Sequence, residues 1–315
     1  MMKLPRFVVS CTLCLLIMAS SGALVQAQVI DTSETLLTPI ATDPMGRSLL
    51  IEEVTTTWCP TCAEIDPYLM GVADSHGSRI TMVAYHPSDG EDAFHPPAAQ
   101  HRIDRLGIDH GDAIPSPTFF VEGKIARSGT DAWNDVQRDI LELELTRQDT
   151  STLQFEVVRN ENGITARLLS FETNIPGLNE SQLTFLVLEH QKTVPTGFVN
   201  PGEETRDRVL VATAECEFNT STIKVQFELL NAGVDEGCGT DFEITFEYMD
   251  EFSILLLHEN TEDAIVNLEA PLGTYGAVEF AYRSRLLPQS SWSLVSIALF
   301  IAAAAGLMAI VPRKN

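Results

Sequence analysis

The first half of the chain alternates short apolar runs with segments of helical periodicity. Apolar or β-branched runs of about four to eight residues indicate strands, and apolar positions three or four apart indicate helices. The predicted strands are residues 48–55, 80–85, 118–122 and 125–128, and the predicted helices are residues 63–73, 97–106 and a segment that Asp131 caps and that runs to Thr146. This β-α-β-α-β-β-α order predicts an α/β domain over residues 45–149.

Residues 150–285 show a different pattern, in which short strand-like runs are separated by turn residues such as Asn162-Gly163 and Pro201-Gly202. The candidate strands are residues 153–158, 164–171, 183–189, 208–214, 222–230, 242–248, 252–257 and 277–282. About eight short antiparallel strands without helices are typical of two packed sheets. We therefore predict that this half is an all-β, immunoglobulin-like sandwich domain.

Both ends of the chain predict a location outside the cytoplasm. Residues 1–27 have a basic start, an apolar stretch and small residues at the end, the pattern of a cleaved signal peptide. Residues 293–311 carry no charge and span ~28 Å as a helix, about one hydrocarbon core. Arg313 and Lys314 favour the cytoplasmic side. The remaining segments are a leader or linker at 28–44, a link at 286–291, a transmembrane helix at 292–311 and a cytoplasmic tail at 312–315.

These ends predict a single-pass protein of the cell membrane with an extracytoplasmic ectodomain, held to the membrane by its C-terminal helix. The C-terminal segment also resembles a prokaryotic sorting signal, which would be cut and replaced by another anchor. The formal charge of −24 argues against nucleic acid as a partner, because phosphate binding depends on Lys and Arg. The hydrophobic fraction of 44% is that of a folded protein rather than a disordered one.

The most informative motif is Trp58-Cys59-Pro60-Thr61-Cys62, which lies between the first predicted strand and the first predicted helix. Two cysteines separated by two residues at a helix start can close a disulfide. The free amide groups and the positive end of the helix dipole stabilise a thiolate there. The motif therefore predicts Cys59 as the exposed nucleophile and Cys62 as the thiol that resolves a mixed disulfide.

The element order, this motif and Ser116-Pro117-Thr118 before the next strand together resemble the thioredoxin fold, over about a third of the chain. The segments Tyr85-His86-Pro87 and Phe94-His95-Pro96 resemble those of one branch of this family, the extracytoplasmic thioredoxin-like proteins associated with bacterial surfaces. The resemblance implies that Pro117 is a cis-proline facing the cysteines, where it presents the substrate strand. It also implies protein thiols and disulfides as substrates, and no cofactor.

Glu53 is the candidate for a proton relay, because thioredoxins often place a buried acid six residues before the first cysteine. Either Glu53 or its neighbour Glu52 could lie under the site with a raised pKa, and both could instead be solvated at a splayed strand end. Glu64 and Asp66 are expected in the first helical turn, where they oppose a thiolate slightly. A reductase facing outward also needs electrons from a separate membrane partner.

Two other interpretations of the motif stay open. Cys59 and Cys62 could form a static disulfide in a domain that only binds, since the predicted location is oxidising. The two cysteines could also complete a zinc or copper site with His86 or His95, although no second CxxC motif exists and we therefore predict no metal. We expect His86 to anchor a loop rather than to take part in catalysis.

Two further cysteines, Cys216 and Cys238, are predicted to form a structural disulfide in the second half. The alternative is that this pair exchanges with the CxxC pair as an internal relay. The primary functional hypothesis is a membrane-anchored thiol–disulfide oxidoreductase. The alternative is a surface binding or assembly protein whose thioredoxin-like part is only a scaffold.

Overall fold

The computed structural model describes residues 28–76, 79–111, 113–147 and 151–284. The predicted signal peptide, the link at 286–291, the transmembrane helix at 292–311 and the tail at 312–315 all lie outside these residues. None of the helices in the described ranges is both long and apolar enough to cross a membrane.

The strands in the described part of the chain are β1 (Gln28–Ile30), β2 (Ile40–Ala41), β3 (Leu49–Val54), β4 (Ile80–Tyr85), β5 (Thr118–Val121), β6 (Ile125–Ser128), β7 (Ser151–Asn160), β8 (Gly163–Thr173), β9 (Ser181–Glu189), β10 (Lys192–Thr193), β11 (Thr205–Arg206), β12 (Val209–Glu217), β13 (Thr222–Phe227), β14 (Asn231–Gly233), β15 (Glu243–Phe246), β16 (Phe252–Asn260) and β17 (Thr274–Tyr282). The helices are α1 (Pro60–His76), α2 (Pro97–His110), α3 (Trp133–Thr146), α4 (Cys238–Asp241) and α5 (Glu262–Leu268). The predicted β-α-β-α-β-β-α order of the first half is confirmed.

The predicted cap of α3 is wrong. A short 3-10 turn at Thr130–Ala132 precedes the helix, so that Ala132 rather than Asp131 is the N-cap residue, with no side-chain capping bond. The helix ends at Thr146, as expected.

A single sheet runs through both halves of the chain. Its strand order among the described residues is β1-β17-β16-β9-β12-β4-β3-β5-β6, with β13 also paired to β12. The halves join where β12 lies parallel to β4, with Val209 opposite Ala84. The structure is thus mixed α/β, and both halves belong to one compact unit that ends at Arg283. The two segments that we predicted as successive domains share their sheet.

A second sheet packs against part of the first and gives the second half its layered architecture. Its order is β14-β15-β8-β7-β2. The core between the two sheets contains buried aromatic residues from both, among them Phe155, Phe185, Phe242, Phe252 and Phe280. All eight strands predicted for this half are present, but the prediction that it is all-β is wrong. Its α5 helix begins where the Thr261 side chain accepts a hydrogen bond from the Ala264 amide.

The predicted leader or linker at residues 28–44 is also part of the fold. β1 pairs in parallel with β17, and β2 pairs with β7 at the edge of the second sheet. Leu36, between these strands, is 3% exposed and packs in the core between the sheets. The sequence contained too few residues of strand character in this segment to predict these short pairings.

Helix α2 covers the junction between the halves and carries a buried charge. The buried hydrophobic cluster that its apolar face joins contains Leu50 and Val83 of the first half and Leu186 and Leu255 of the second. Beside these apolar residues, Arg102 donates hydrogen bonds to Glu259 at 2.7 Å and to Glu52 at 3.2 Å.

The carboxylate of Glu259 is ionised inside this junction. Burial opposes its ionisation, but the charges of Arg102 and Arg105 outweigh it and lower the pKa of Glu259 to about 2. The Thr184 hydroxyl also donates to Glu259 at 2.6 Å. The junction therefore depends on a satisfied ionic network as well as on apolar packing.

Replacing Arg102 with alanine leaves Glu52 buried without its cation and Glu259 with Arg105 alone, and we expect the free energy of unfolding to fall by about 3–5 kcal/mol. The control is Arg138→Ala, because Arg138 pairs with Asp135 on an exposed face of α3 and is expected to contribute at most about 1 kcal/mol. Urea denaturation measures both variants. Similar small losses in the two variants would contradict a structural role for the buried network.

Candidate redox site

The CxxC motif lies where the sequence predicted it, between β3 and α1. Cys59 and Cys62 form a disulfide. Helix α1 begins at Pro60, and the backbone amide of Cys62 donates a hydrogen bond to the Cys59 sulfur at 3.1 Å. An amide N–H aimed at a sulfur at the start of a helix is the arrangement that stabilises a thiolate after reduction.

Pro117 lies beside this disulfide, at the start of β5. The Ser116–Pro117 peptide bond is cis. The Cys59 sulfur is 3.8 Å from the carbonyl oxygen of Ser116. The structure therefore brings together three of the predicted site residues, Cys59, Cys62 and Pro117.

The expectation that Cys59 is exposed is wrong. Its side chain is only 5% exposed, and Cys62 is fully buried. The Ser116 carbonyl lies against the Cys59 sulfur, and Thr56 and Thr57 before the motif are buried as well. Little of Cys59 is therefore open to a reagent in solution.

Both adjacent glutamates are buried and burial raises the pKa of both, so they differ in the face of β3 on which they lie. Strand alternation places Glu53 on the same face of β3 as Leu49 and Ile51, which pack against Ile65 of α1. Glu52 points to the opposite face, where it accepts a hydrogen bond from the Tyr85 hydroxyl at 2.8 Å. Glu53 thus lies on the face of the sheet that is covered by α1, the helix that carries Cys62.

The Asp66 carboxyl interacts with that of Glu53, whereas the sequence analysis considered Asp66 only as a charge that opposes a thiolate. Helix α1 begins at Pro60, so Asp66 lies in the second turn and is only 8% exposed. Burial and then the charge of Asp66 raise the pKa of Glu53 well above its usual value. Burial also raises the pKa of Asp66 to about 6, against the opposing charges of His86 and Arg206. The pair is therefore largely protonated in mildly acidic solution and opposes a thiolate less than two charges would.

His86 and Asp92 hold the loop that precedes the motif. The Asp92 carboxylate accepts a hydrogen bond from the Thr57 amide at 2.7 Å and lies 2.9 Å from Nδ1 of His86. Although burial opposes ionisation, the bonds from His86 and from backbone amides lower the pKa of Asp92. Because an ionised carboxylate only accepts, Nδ1 of His86 carries the proton. His86 thus anchors the loop through Asp92.

His95, the other histidine considered as a metal ligand, lies on an exposed part of the loop after β4. Among the described residues, no three His, Cys, Asp or Glu side chains are grouped so that they could hold a metal ion. The second disulfide, between Cys216 and Cys238, is present as predicted, and both of its cysteines are buried.

The sequence analysis missed a part of the site that the second half contributes. β10 and β11 form a two-stranded hairpin in residues 192–206, with Lys192 opposite Arg206. Nη2 of Arg206 is 3.5 Å from the carbonyl oxygen of Thr57, and Nε is 3.5 Å from Oδ2 of Asp66. The hairpin therefore contacts the chain on both sides of the CxxC motif.

The comparisons with known proteins bear on the fold only. No protein-family model and no curated protein matches the chain. Among solved structures, the chain is similar to HBP35 of Porphyromonas gingivalis, with 14% identity, a TM-score of 0.51, and coverage of 78% of this chain and 79% of that one. A protein of Agrobacterium tumefaciens, AGR_C_4864, has 10% identity, a TM-score of 0.44, and coverage of 76% and 96%.

The likeness to HBP35 covers more of the chain than either half contains, so it includes parts of both. At this level of identity it supports the fold and says nothing about chemistry. The functional argument therefore depends on the residues of the site.

Replacing Asp66 with asparagine is expected to change how stability depends on pH. The pKa of Asp66 rises from 3.8 to about 6 on folding, so the folded state binds more protons in that interval. The stability that this carboxyl contributes is complete below its unfolded pKa and is lost as the pH rises through about 6. Relative to Asp66→Asn, the wild type should lose a few kcal/mol over this interval, since one pKa unit corresponds to ~1.4 kcal/mol.

Urea denaturation at a series of pH values measures this difference. Glu64→Gln is the matched control, because Glu64 is an exposed carboxyl on the same helix. If the free energy of unfolding depends on pH in the same way for the wild type and for Asp66→Asn, the raised pKa of Asp66 is refuted.

Proposed function

We propose that this chain is a thiol–disulfide oxidoreductase with a thioredoxin-like part, and that Cys59 and Cys62 are its redox couple. The observation that carries the proposal is the disulfide at the start of α1, with the Cys62 amide 3.1 Å from the Cys59 sulfur. Such an arrangement lowers the pKa of the reduced thiol, and the thiolate is the species that attacks a disulfide.

The reaction consists of two exchanges. The Cys59 thiolate attacks one sulfur of a substrate disulfide, so that a mixed disulfide forms and the other substrate sulfur leaves and takes a proton. The Cys62 thiolate then attacks the Cys59 sulfur, which closes the Cys59–Cys62 bond and releases the second substrate thiol. The substrate gains two electrons and the couple loses two. Substrate oxidation is the same sequence in reverse.

Pro117 and Glu53 have supporting roles in this proposal. The Ser116–Pro117 segment touches the Cys59 sulfur, so a substrate strand bound there has its own sulfur next to Cys59. Glu53 lies on the α1 side of the sheet, and its raised pKa suits a group that takes the proton from Cys62. Protein thiols and disulfides are the substrates, and no cofactor takes part.

We also propose that the protein acts outside the cytoplasm and is anchored in the cell membrane. The support is the sequence pattern of residues 1–27 and 292–311. An outward-facing reductase then receives its electrons from a membrane partner, because a reduced couple must be regenerated after each cycle.

Cys59→Ser should abolish the reduction of insulin by the protein in the presence of a chemical reductant, because serine cannot form the mixed disulfide. Cys62→Ser should instead trap a covalent complex with a disulfide substrate, visible on a non-reducing gel, because the second exchange is missing. A variant with both Cys216→Ser and Cys238→Ser is the control and should stay active if folded. Equal inactivity of the wild type and Cys59→Ser would refute the enzyme.

Glu53→Gln should slow the second exchange at neutral pH by about a hundredfold, within the range of general base catalysis. The measurement is the release of a peptide from a preformed mixed disulfide with Cys59. The rate should recover at high pH, where Cys62 ionises without help. Glu64→Gln is the control, and a Glu53→Gln deficit that persists unchanged at high pH would argue for a structural effect.

The burial of Cys59 favours a second candidate function, a surface binding or assembly protein with a structural disulfide. A cysteine that is 5% exposed is hard for a partner sulfur to reach. The reduction potential of the couple distinguishes the two functions. A value below about −300 mV is typical of structural disulfides and would favour the binding protein.

A further inference from the structure

The hairpin of residues 192–206 lies across one side of the CxxC motif. Its contacts fall on Thr57, two residues before Cys59, and on Ala63 and Asp66 of α1 after Cys62. At its base, Lys192 lies 5.5 Å from the centre of the Phe94 ring, on the loop that also anchors Thr57. The Ser116 carbonyl lies against the Cys59 sulfur itself.

Arg206 fastens this hairpin to the site. Its guanidinium donates to the Glu203 carbonyl and to Oδ1 of Asn200, both at 2.7 Å, and thereby orders the loop of the hairpin. The same group reaches Thr57 and Asp66 at 3.5 Å. The Arg206 side chain is 5% exposed, so these contacts are made largely out of water, where a charge-assisted contact is stronger.

Gly202 lets the hairpin approach α1 closely. A Cβ atom at this position would lie 2.9 Å from the Cβ of Ala63 and 2.7 Å from Nη2 of Arg206. Both distances are shorter than van der Waals contact, so any side chain at residue 202 pushes the hairpin away from the helix. The close packing of the hairpin on α1 therefore requires glycine there.

At the base of the hairpin, a second set of contacts fixes the chain where it leaves the sheet. His190 pairs with Asp207 at 2.5 Å and contacts the Ser253 hydroxyl at 2.8 Å. Arg206 lies at the base as well, opposite Lys192 and next to Asp207, whereas Gly202 lies in the loop and packs on Ala63 of α1. Loss of the contacts at Gly202 and Arg206 frees the loop from α1, while the contacts of His190 still hold the base.

We propose that the 192–206 hairpin selects the substrates of the Cys59–Cys62 couple by size. Small disulfides and disulfides in unfolded chains reach Cys59 in the covered site, and disulfides on the surface of folded proteins do not. This inference rests on the proposed function, since it concerns the access of substrates to the same sulfur.

Arg206→Met and Gly202→Val test the hairpin without using the exchange reaction. Reduced protein is treated with N-ethylmaleimide and with the same maleimide on a large polymer, and the rate of modification of Cys59 is measured. Both variants should raise the polymer rate about tenfold, the change that corresponds to ~1.4 kcal/mol of lost contact, with little change in the small-reagent rate. Arg167→Met is the control, because Arg167 pairs with Glu156 on the second sheet.

The same proteins are then assayed with glutathione disulfide and with a folded protein that has a surface disulfide. Gly202→Val should gain activity on the folded protein and keep its activity on glutathione disulfide, and Arg206→Met should raise the ratio of the first activity to the second. If the polymer-linked maleimide modifies Cys59 at the wild-type rate in both folded variants, the hairpin does not cover the site, and this conclusion holds whether or not the protein is active. If the variants change the rate of modification by the polymer-linked maleimide, but neither they nor the wild type exchange with glutathione disulfide or with the folded protein, the proposed function is refuted. The proposed selection of substrates is then refuted with it. Because Gly202→Val retains Arg206, it also tests the cover if Arg206→Met does not fold.

Discussion

The architecture of this protein depends on the pairing of β12 with β4. The Ala84 amide donates a hydrogen bond to the Arg208 carbonyl at 3.0 Å, and Val209 lies opposite Ala84 in parallel register. This pairing makes one sheet of strands from both halves. It also sets where the second half meets the redox motif. β12 begins beside the last residues of β4, and β4 ends next to the end of β3, from which the CxxC loop leaves. The pairing of these strands therefore positions the hairpin, which precedes β12, next to the CxxC motif.

Such a junction needs a core that both halves can share, and helix α2 provides it. Its apolar residues pack on strands of both halves, while Arg102 lies among carboxylates from β3 and β16. A buried ion pair of this kind adds little stability compared with apolar residues of the same shape, but the loss of one partner is costly. The network therefore favours one relative placement of the halves over slipped alternatives. A fixed placement matters because residues of both halves meet at the candidate redox site.

The sequence was sufficient for those parts of the site that depend on neighbouring residues. The order of strand, CxxC motif and helix located Cys59 and Cys62, and the resemblance to the thioredoxin fold pointed to Pro117 and Glu53. Contacts between distant residues could not be predicted. Arg206 and Thr57 are separated by 149 positions, and nothing in the composition of residues 190–208 marks them as part of a redox site. The burial of Cys59 was missed for the same reason. Alternation along the chain predicts the face on which a residue lies, but only the long-range fold determines what covers that face.

The charges around the CxxC motif also depend on contacts between residues that are distant in the sequence. With a net charge of −24 the chain is rich in carboxylates, and two of them are buried near the motif, Glu53 in β3 and Asp66 in α1. Two ionised acids there would raise the pKa of a nearby thiol and work against the helix dipole. Burial protonates the pair at mildly acidic pH, and the guanidinium of Arg206 offsets the charge of Asp66 when it ionises. His86 from the first half and Arg206 from the second both lower the pKa of Asp66, so the two halves share the electrostatics of the candidate site as well as the sheet.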